Sequence, residues 1–369
     1  MRIAIDARAI NWYKGTGIGT YTENVVKNLI NIDKTNYYHI YWTGNDWNYF
    51  SKDNSNIIIT SKKHHRFFQQ YYFPYDLNRE NIDIYHVPQN GIGLNENAKC
   101  KKVITIHDLI PYVMPETVGR GYLLKFLREV PYIIANSDAI ITVSEYSKKD
   151  ILKFFPIDEN KIFVTPLAAN NIYKPLDKGI CKKFIKENYN INKPFILYIG
   201  GFSARKNIKS LINSFIKINS DLDKDYNLVI VGAKKDLGNY LSNKFVDVSK
   251  IVFTGFINQE ELPIFYNACD VFVYPSLYEG FGLPPLEAIS CGTPVITSNI
   301  TSIPEVVGDS CILIDPYNQD ELASSLLKLL NDKKLQESLR KKGLERASNF
   351  SWEKTAKNTL NIYEKIYNN

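Results

Sequence analysis

Short apolar runs alternate along the chain with longer segments of helical periodicity. The first run, Arg2–Asp6, is followed by a glycine-rich turn and then by the amphipathic stretch Tyr21–Leu29. Buried parallel strands are short and apolar. Similar runs therefore predict strands at His39–Trp42, Ile57–Thr60, Ile84–Val87, Val103–His107, Ala139–Val143 and Ile162–Thr165. Strands and helices in this alternating order predict a doubly wound α/β domain.

A second series of the same kind begins after a segment rich in Asn, Lys and Pro, Asn170–Lys178. It predicts strands at Phe195–Ile199, Asn227–Val231, Ile251–Thr254, Val271–Tyr274, Pro294–Thr297 and Cys311–Ile314. We therefore predict two Rossmann-like domains, residues 1–170 and residues 171–352. A final helix, about residues 353–369, has an apolar face that can pack on either domain, including back on the N-terminal one.

The length of 369 residues agrees with two domains. The sequence contains 44% hydrophobic and 23% charged residues, which is an ordinary composition for a globular protein. Open parallel sheets bind ligands beyond the carboxyl ends of their strands, so two such domains facing each other predict a cleft for two substrates. Functional residues are therefore expected at those strand ends.

Charge and cysteine content exclude several classes of protein. The formal charge of +6 is spread evenly, with 20 basic and 17 acidic residues in 1–170 and 25 and 22 in the remainder, so nucleic-acid binding is not expected. The five cysteines are scattered and outside any metal-binding spacing. No secretion signal or apolar run of ~18 residues is present, and we expect a cytoplasmic protein.

The run Tyr274–Gly292, YPSLYEGFGLPPLEAISCG, predicts an anion site. It follows a predicted strand and leads into a short helix starting near Pro284, since proline suits a first helical turn. Just upstream, the backbone amides of Phe281, Gly282 and Leu283 are placed to meet a diphosphate near the helix N-terminus.

Two carboxylates, Glu279 in the loop and Glu287 in the expected opening turn of the helix, lie eight positions apart. A carboxylate accepts hydrogen bonds from two neighbouring hydroxyls, which suits Glu287 for a ribose and Glu279 for a sugar. The alternative is structural: Glu287 complements the helix dipole and Glu279 is solvated.

The second informative run is YIGGFSARKN, in which a predicted strand is followed by two glycines, including Gly201. Arg205 and Lys206 then precede a predicted helix. Arginine supplies a planar fork for phosphate oxygens and lysine a compact charge, so the pair is suited to neutralise a departing diphosphate. Two exposed cations without a ligand are the alternative interpretation.

The segments EGFGLPPLE, GGFSARKN and FTGFINQEELPIFYNACDVFVYPS, in their order along the chain, resemble the GT4 family of retaining glycosyltransferases. The resemblance covers nearly the whole chain and implies the GT-B fold of two facing Rossmann-like domains. It also implies that Glu287 holds the donor ribose, that Glu279 contacts the transferred sugar, and that Arg205 and Lys206 bind the diphosphate. The segment Gly255–Ile257 would then lie near the nucleobase.

In the N-terminal half, GTGIGTYTENVV carries Gly17 and Gly19 between the first predicted strand and its helix. The dinucleotide-binding pattern fails at Thr20. Taken together with the resemblance, this favours a position of Gly17 next to the donor phosphates and of Gly19 next to the acceptor. The resemblance makes His107, at a strand end, a contact to the donor sugar. Alone, such a histidine is more often structural, and Asp108 either caps a turn or faces the acceptor.

A third N-terminal feature is the basic and aromatic segment SKKHHRFFQQYYFP, with Lys62, Lys63 and Arg66 ahead of its aromatic residues. Such a pattern suits a membrane surface or a lipid-linked acceptor. A helix with a solvated face and an aromatic core face explains it nearly as well.

The family resemblance implies a front-face reaction that needs no nucleophilic side chain, no cofactor and no metal. The carboxylate pair Asp221 and Asp223 lies in a polar turn, where turn chemistry explains it better than metal binding. Similarity to bacterial mannosyltransferases of surface polysaccharide assembly favours mannose from GDP-mannose. UDP-glucose, UDP-N-acetylglucosamine and dTDP-rhamnose remain alternative donors, and a GT-B nucleotide-sugar epimerase or a non-catalytic two-lobed sugar-binding module remain alternative functions.

Overall fold

The computed structural model describes residues 1–95, 97–232 and 249–368, which form two compact units. Unit 1 comprises Met1–Leu167 and Ser351–Asn369, and unit 2 comprises Ala168–Phe350. Each unit has its own parallel sheet.

The sheet of unit 1 has the strand order β3-β2-β1-β4-β5-β6-β7, with every neighbouring pair parallel. Strands β4 and β6 are buried along their whole length, as expected when helices cover both faces of a sheet. The strands are β1 Arg2–Asp6, β2 Tyr37–Trp42, β3 Ser55–Ile59, β4 Ile84–Val87, β5 Lys101–Ile106, β6 Ala139–Thr142 and β7 Ile162–Val164.

The helices of unit 1 connect these strands, and one continuous helical stretch contains a π-helical turn, Phe68–Tyr72. Seven described α-helices of unit 1 precede unit 2 in the chain: α1 Ala9–Trp12, α2 Gly17–Ile32, α3 His65–Phe67, α4 Phe73–Arg79, α5 Ile110–Val113, α6 Arg120–Ala135 and α7 Glu145–Phe154.

Unit 2 repeats the topology, with the order β10-β9-β8-β11-β12-β13 and parallel pairing throughout. Its strands are β8 Phe195–Ile199, β9 Asn227–Val231, β10 Ile251–Gly255, β11 Val271–Tyr274, β12 Val295–Ser298 and β13 Ile312–Ile314. Its described helices are α8 Lys178–Tyr189, α9 Ile208–Ile218, α10 Leu262–Ala268, α11 Leu283–Ser290, α12 Ile303–Val307, α13 Gln319–Asn331 and α14 Lys333–Ala347.

Counted within each unit, both sheets contain the order 3-2-1-4-5-6 of the doubly wound Rossmann fold, and unit 1 adds a seventh strand, β7, beside β6. The strand order therefore reverses between β1 and β4 in unit 1 and between β8 and β11 in unit 2. The predicted α/β fold with two doubly wound parallel sheets is confirmed.

The last helix, α15 (Trp352–Tyr367), belongs to unit 1 and packs on α2. The Tyr363 hydroxyl lies 2.6 Å from Nδ1 of the buried His86, whose Nε2 lies 2.8 Å from the Thr105 hydroxyl. Tyr21 joins this chain of hydrogen bonds through Thr105, at 3.1 Å. No described helix is long and apolar enough to cross a bilayer.

The prediction that Gly17 and Gly19 lie between the first strand and its amphipathic helix was wrong. Helix α2 begins at Gly17, and its preceding residue Thr16 caps it by accepting a hydrogen bond from the amide of Gly19. A Cβ atom at Gly19 would lie 2.3 Å from the carbonyl oxygen of Tyr13. Close packing against that carbonyl therefore requires this glycine.

Candidate functional site

A charged cluster lies at the point in unit 2 where the strand order reverses. Arg205 and Lys206 occupy a short 3₁₀ turn, Ala204–Lys206, that follows β8, and Glu279 lies in the loop after β11. Because β8 and β11 are neighbouring parallel strands, their carboxyl ends open at the same edge of the sheet. That edge is where doubly wound sheets bind their ligands.

The carboxylate of Glu279 gathers four donors on one oxygen. Its Oε1 accepts hydrogen bonds from Arg205 Nη1 (2.8 Å), Lys206 Nζ (2.7 Å), the Tyr274 hydroxyl (3.0 Å) and the Ser276 hydroxyl (2.5 Å). Among the described residues, none donates a hydrogen bond to Oε2 of Glu279. The arrangement fixes both cations and leaves the second carboxylate oxygen available to a ligand hydroxyl.

The cluster carries an excess of one positive charge in a partly desolvated place. The side chains of Arg205, Lys206 and Glu279 are 19%, 13% and 12% exposed. Burial acts to raise the pKa of Glu279, but the charges of Lys206 and Arg205 outweigh it and lower the pKa to about 2. Glu279 is therefore ionised at neutral pH, and the cluster is preorganised to stabilise an anion.

Glu287 lies in the second turn of α11 rather than in the predicted opening turn, because the helix begins at Leu283. The Tyr266 hydroxyl donates to its Oε2 at 3.1 Å. Burial raises the pKa of Glu287 to about 7, and hydrogen bonds from Tyr266 and Tyr173 oppose the shift without cancelling it. Its charge therefore changes near neutral pH, unlike that of Glu279.

The turn before α11 is held by close packing. Gly282 has φ +108°, and a Cβ atom there would lie 2.5 Å from Ile303 Cδ1. The ring of Phe281 packs against Phe350, so the side chain points into the unit while its carbonyl accepts a hydrogen bond from Ser302. The contact of the backbone amides of Phe281, Gly282 and Leu283 with a diphosphate stays a prediction.

Gly201 and Ile257 follow β8 and β10, at the same edge of the unit 2 sheet. Gly201 is exposed, and a Cβ atom there would meet no heavy atom within 4 Å. Ile257 is buried, whereas the preceding Phe256 is 83% exposed. Of this pair, only Phe256 presents its side chain to solvent.

His107 follows β5 in unit 1 and is buried and neutral. Its Nε2 donates to the Pro88 carbonyl at 2.8 Å, which leaves Nδ1 as the hydrogen-bond acceptor, and Tyr21 packs edge-on against the ring at 4.9 Å. Burial lowers the pKa of His107 to about 4, although the Pro88 bond opposes the shift. This group can orient a hydroxyl but carries no charge at neutral pH.

The remaining predicted residues of unit 1 are divided between structural and exposed positions. Asp108 Oδ1 accepts a hydrogen bond from the amide of Ile110 at 3.1 Å and so caps the turn that enters α5. Gly17 is exposed at the start of α2, and Lys62, Lys63 and Arg66 are exposed ahead of and within α3. In residues 1–95, 97–232 and 249–368, no group of three or more His, Cys, Asp or Glu side chains is arranged to hold a metal ion.

Sequence reasoning did not identify four polar residues that complete these sites. Tyr274 and Ser276 bind Oε1 of Glu279, and Tyr266 and Tyr173 flank Glu287. Tyr274 and Ser276 stand within five residues of Glu279 at the end of a strand, a spacing that carried the signal. Tyr173 and Tyr266 are distant in sequence from Glu287, and only the fold brings them together.

Comparison with known proteins agrees with this geometry. A model of glycosyl transferases group 1 matches residues 181–346, and a model of glycosyltransferase family 4 matches residues 16–170. O-antigen chain mannosyltransferase B of Escherichia coli is 32% identical over 284 residues, which cover 76% of this chain and 74% of the relative. The chain belongs to glycosyltransferase family 4.

This GT4 enzyme is a hexosyltransferase that resembles bacterial mannosyltransferases of polysaccharide assembly. The serotype-specific mannosyltransferase WbdA of Escherichia coli is 30% identical over 268 residues, and the match covers 71% of this chain but only 33% of that relative. Anabaena HepE, solved in complex with UDP-glucose, superposes with a TM-score of 0.73 at 16% identity, over 99% of this chain and 98% of its own. That likeness bears on the fold, which is GT-B.

Proposed function

We propose that this GT4 enzyme transfers an α-linked mannose from GDP-mannose to a glycan or lipid-linked glycan with retention of configuration. One observation carries the proposal: Glu279 holds Arg205 and Lys206 together at the carboxyl edge of the unit 2 sheet. The names of the relatives, which are mannosyltransferases of O-antigen assembly, support mannose as the transferred sugar.

In the proposed reaction the two cations hold the donor diphosphate. The bond between the anomeric carbon and a diphosphate oxygen breaks while the acceptor oxygen bonds to the same face of that carbon. The acceptor proton passes to a diphosphate oxygen, so no side-chain nucleophile is required. Arg205 and Lys206 stabilise the charge that grows on the leaving group, an electrostatic contribution that is usually the largest in such sites.

The other polar groups position the donor. Glu279 Oε2 accepts from a hydroxyl of the transferred sugar, and neutral His107 accepts from another hydroxyl through Nδ1. Glu287 accepts from the two ribose hydroxyls, and the segment around Ile257 lies beside the base. Because the cations neutralise the diphosphate, we propose that no metal ion is needed, and activity should be unchanged by a chelator.

Donor specificity and stereochemistry are tested together. Purified enzyme is incubated with GDP-mannose, UDP-glucose, UDP-N-acetylglucosamine and dTDP-rhamnose, each with and without EDTA, and the anomeric configuration of the product is read by NMR. The proposal predicts an α-mannoside from GDP-mannose in both conditions. A β-product, an epimerised donor without transfer, or sugar binding without turnover would contradict it, and preference for another donor would correct the sugar.

We also propose that the enzyme is cytoplasmic and touches the membrane surface through the segment of Lys62, Lys63 and Arg66. The following helical stretch exposes Phe67, Tyr71 and Tyr75 by 54%, 67% and 60%. The Phe67 and Tyr71 rings lie 6.1 Å apart, so they share a face. Basic residues beside exposed aromatic rings suit an anionic lipid surface.

Vesicle sedimentation tests this contact. Binding to vesicles with anionic phosphatidylglycerol should exceed binding to phosphatidylcholine alone, weaken with salt, and fall in the variant Lys62→Glu/Lys63→Glu. Equal binding of the variant and the parent protein would show that these lysines do not contact lipid.

A further inference from the structure

The loop between β11 and α11 is held by the turn that follows β12. The hydroxyl of Ser302, a completely buried residue, lies 2.8 Å from the carbonyl oxygen of Glu279 and 2.9 Å from that of Phe281. Its single proton serves both carbonyls. The neighbouring Thr301 hydroxyl accepts a hydrogen bond from the amide of Glu279 at 3.4 Å. Two successive residues of one turn therefore hold three backbone groups of the loop that carries Glu279.

Thr301 adopts a backbone conformation that is unfavourable for its residue type. Its φ is +60°, in the left-handed region, where a β-branched residue is a rare outlier. The other described residues with positive φ are asparagines and glycines, which tolerate this region. Backbone strain persists only where surrounding contacts impose it, and it is concentrated at functional sites. The strain at Thr301 therefore points to a function of this turn.

The bonds of Ser302 determine which way the peptide units of the loop face. In a planar trans peptide, the carbonyl and the amide of the following residue point in opposite directions. Because the Phe281 carbonyl points at Ser302, the Gly282 amide points away from Ser302. Among the described residues, no acceptor bonds the amides of Phe281, Gly282 or Leu283. The loop thus has unpaired donors, and that of Gly282 faces away from the turn.

The loop is fixed from two sides. Ile303, which follows Ser302, packs so closely that a Cβ atom at Gly282 would lie 2.5 Å from its Cδ1. On the other side, the Glu279 carboxylate is bonded by Arg205 and Lys206. The backbone of Glu279 is therefore held by the turn after β12, and its carboxylate is held by the cations that follow β8.

We infer that Thr301 and Ser302 are positioning residues of the transfer reaction, which orient the Gly282 amide towards the donor diphosphate and Glu279 towards the transferred sugar. Both act through the loop between β11 and α11. The inference rests on the proposed glycosyltransfer. It predicts that removal of the Ser302 hydroxyl weakens contacts to the diphosphate and leaves those to the nucleoside unchanged.

Ser302→Ala and Ser310→Ala form a matched pair of variants. Both serines are buried, one directly before α12 and one shortly after it, and Ser310 donates to the Val307 carbonyl at 2.6 Å. Each variant loses one buried hydroxyl, so both should lower the melting temperature by a similar amount. Calorimetric titration with GDP and saturation-transfer NMR with guanosine compare ligand binding in the two variants and in the parent protein.

Ser302→Ala should weaken GDP binding at least about fivefold and guanosine binding less than about twofold, and Ser310→Ala should change neither. Parental GDP affinity in Ser302→Ala would overturn the inference, because the hydroxyl would then have no effect on the diphosphate. Equal weakening of GDP and guanosine would also overturn it, because the hydroxyl would then support the fold alone.

Thr301→Gly separates function from stability. Glycine adopts φ +60° without strain, so the melting temperature should stay at the parental value or rise. The variant loses the acceptor for the Glu279 amide and gains backbone freedom, so kcat/KM for GDP-mannose should fall at least about threefold. Asn190→Gly, at φ +54° after α8, is the control and should keep parental kcat/KM. Equal kcat/KM in the two glycine variants would overturn the role of Thr301.

Binding by the parent protein separates this inference from the proposed function. Unchanged GDP binding in Ser302→Ala, beside a parent protein that binds GDP, contradicts the inference alone. A parent protein that binds UDP and not GDP contradicts the donor assignment alone, and the same comparison then uses UDP and uridine. A parent protein that binds no nucleoside diphosphate contradicts both.

Discussion

The two units share one topology but use its ligand-binding position in opposite ways. In unit 1, a fully buried Asp6–Arg8 pair lies at the end of β1, and Gln89, which follows β4, donates to Asp6 at 2.6 Å. In unit 2, the ends of β8 and β11 carry Arg205, Lys206 and Glu279, which are partly exposed and positively charged in sum.

This difference shows that strand order fixes where a site can form, while the charge balance and exposure of a few side chains decide whether it does. A neutral, completely buried pair occupies the point in unit 1 where the strand order reverses. An unbalanced and accessible cluster at the same point of unit 2 is suited to a diphosphate. The exposed polar side chains of unit 1, among them Lys62, Lys63 and Arg66, lie away from this point.

The largest effect is expected at the charged cluster of unit 2. Lys206→Ala should lower kcat/KM by about 10²–10³-fold, because it removes one preorganised donor to the leaving diphosphate. Steady-state kinetics measure the change. Lys217→Ala is the matched control, since that lysine is 56% exposed and, in the part of the chain that the structure describes, forms an ion pair with the surface residue Asp320 alone. Equal activity of the two variants would break the contrast between the units.

A second effect concerns the packing of unit 1. Gly19→Ala should reduce the free energy of unfolding by about 1–3 kcal/mol, because its Cβ atom meets the Tyr13 carbonyl at 2.3 Å. Gly121→Ala, also within a helix but in open space, should be neutral or slightly stabilising. Urea denaturation of both variants checks this. A parental midpoint for Gly19→Ala would contradict the packing requirement at this position.

A smaller effect is expected from the pH dependence of donor binding. The ionised form of Glu287 accepts two hydroxyls, and its pKa is raised to about 7. Donor affinity should therefore fall as pH drops below about 7, by up to about tenfold per unit. Glu287→Gln should bind more weakly and lose this dependence, whereas the exposed Glu337→Gln should keep it. Calorimetric titration between pH 6 and 8, as an approximate range, makes the comparison.

For the raised pKa of Glu287, the linked effect on stability has a definite sign. The folded state binds this proton more tightly than the unfolded state, so the contribution favours folding below about pH 4.5 and is lost as pH rises towards 7. Glu279 behaves oppositely, because its pKa is lowered to about 2. Its stabilising contribution is present above about pH 4.5 and is lost as pH falls towards 2.

The smallest effect is expected from titration of His107. Its pKa is lowered to about 4, so the ring stays neutral through the working range and adds no inflection to the pH–rate profile. His107→Gln should lower activity through lost positioning while leaving the shape of the profile unchanged between roughly pH 5.5 and 8. An inflection near 6.5 that disappears in the variant would show a charged histidine in the reaction.

The sequence allowed much of the fold to be predicted because apolar runs and helical periodicity mark strands and helices directly. Arg205, Lys206 and Glu279 were also predicted as ligand groups. Their convergence on Oε1 was not predictable, since it depends on two distant loops meeting at one sheet edge. The buried Asp6–Arg8 pair and the π-helical turn were missed, because neither leaves a periodic signal.

The position of α2 was mispredicted for a local reason. Glycines lower helix propensity, so GTGIG reads as a loop. The Thr16 cap and the contact between Gly19 and Tyr13 outweigh that preference in the folded chain.

The central claim is that the charged edge of unit 2 binds the diphosphate of the donor. Calorimetric titration with GDP tests it on two double variants that each remove two cations, Arg205→Ala/Lys206→Ala in unit 2 and Lys62→Ala/Lys63→Ala in unit 1. The first should raise the Kd at least about 100-fold, and the second should change it by less than about twofold. Parental affinity in the first variant, or equal losses in both, would contradict the claim.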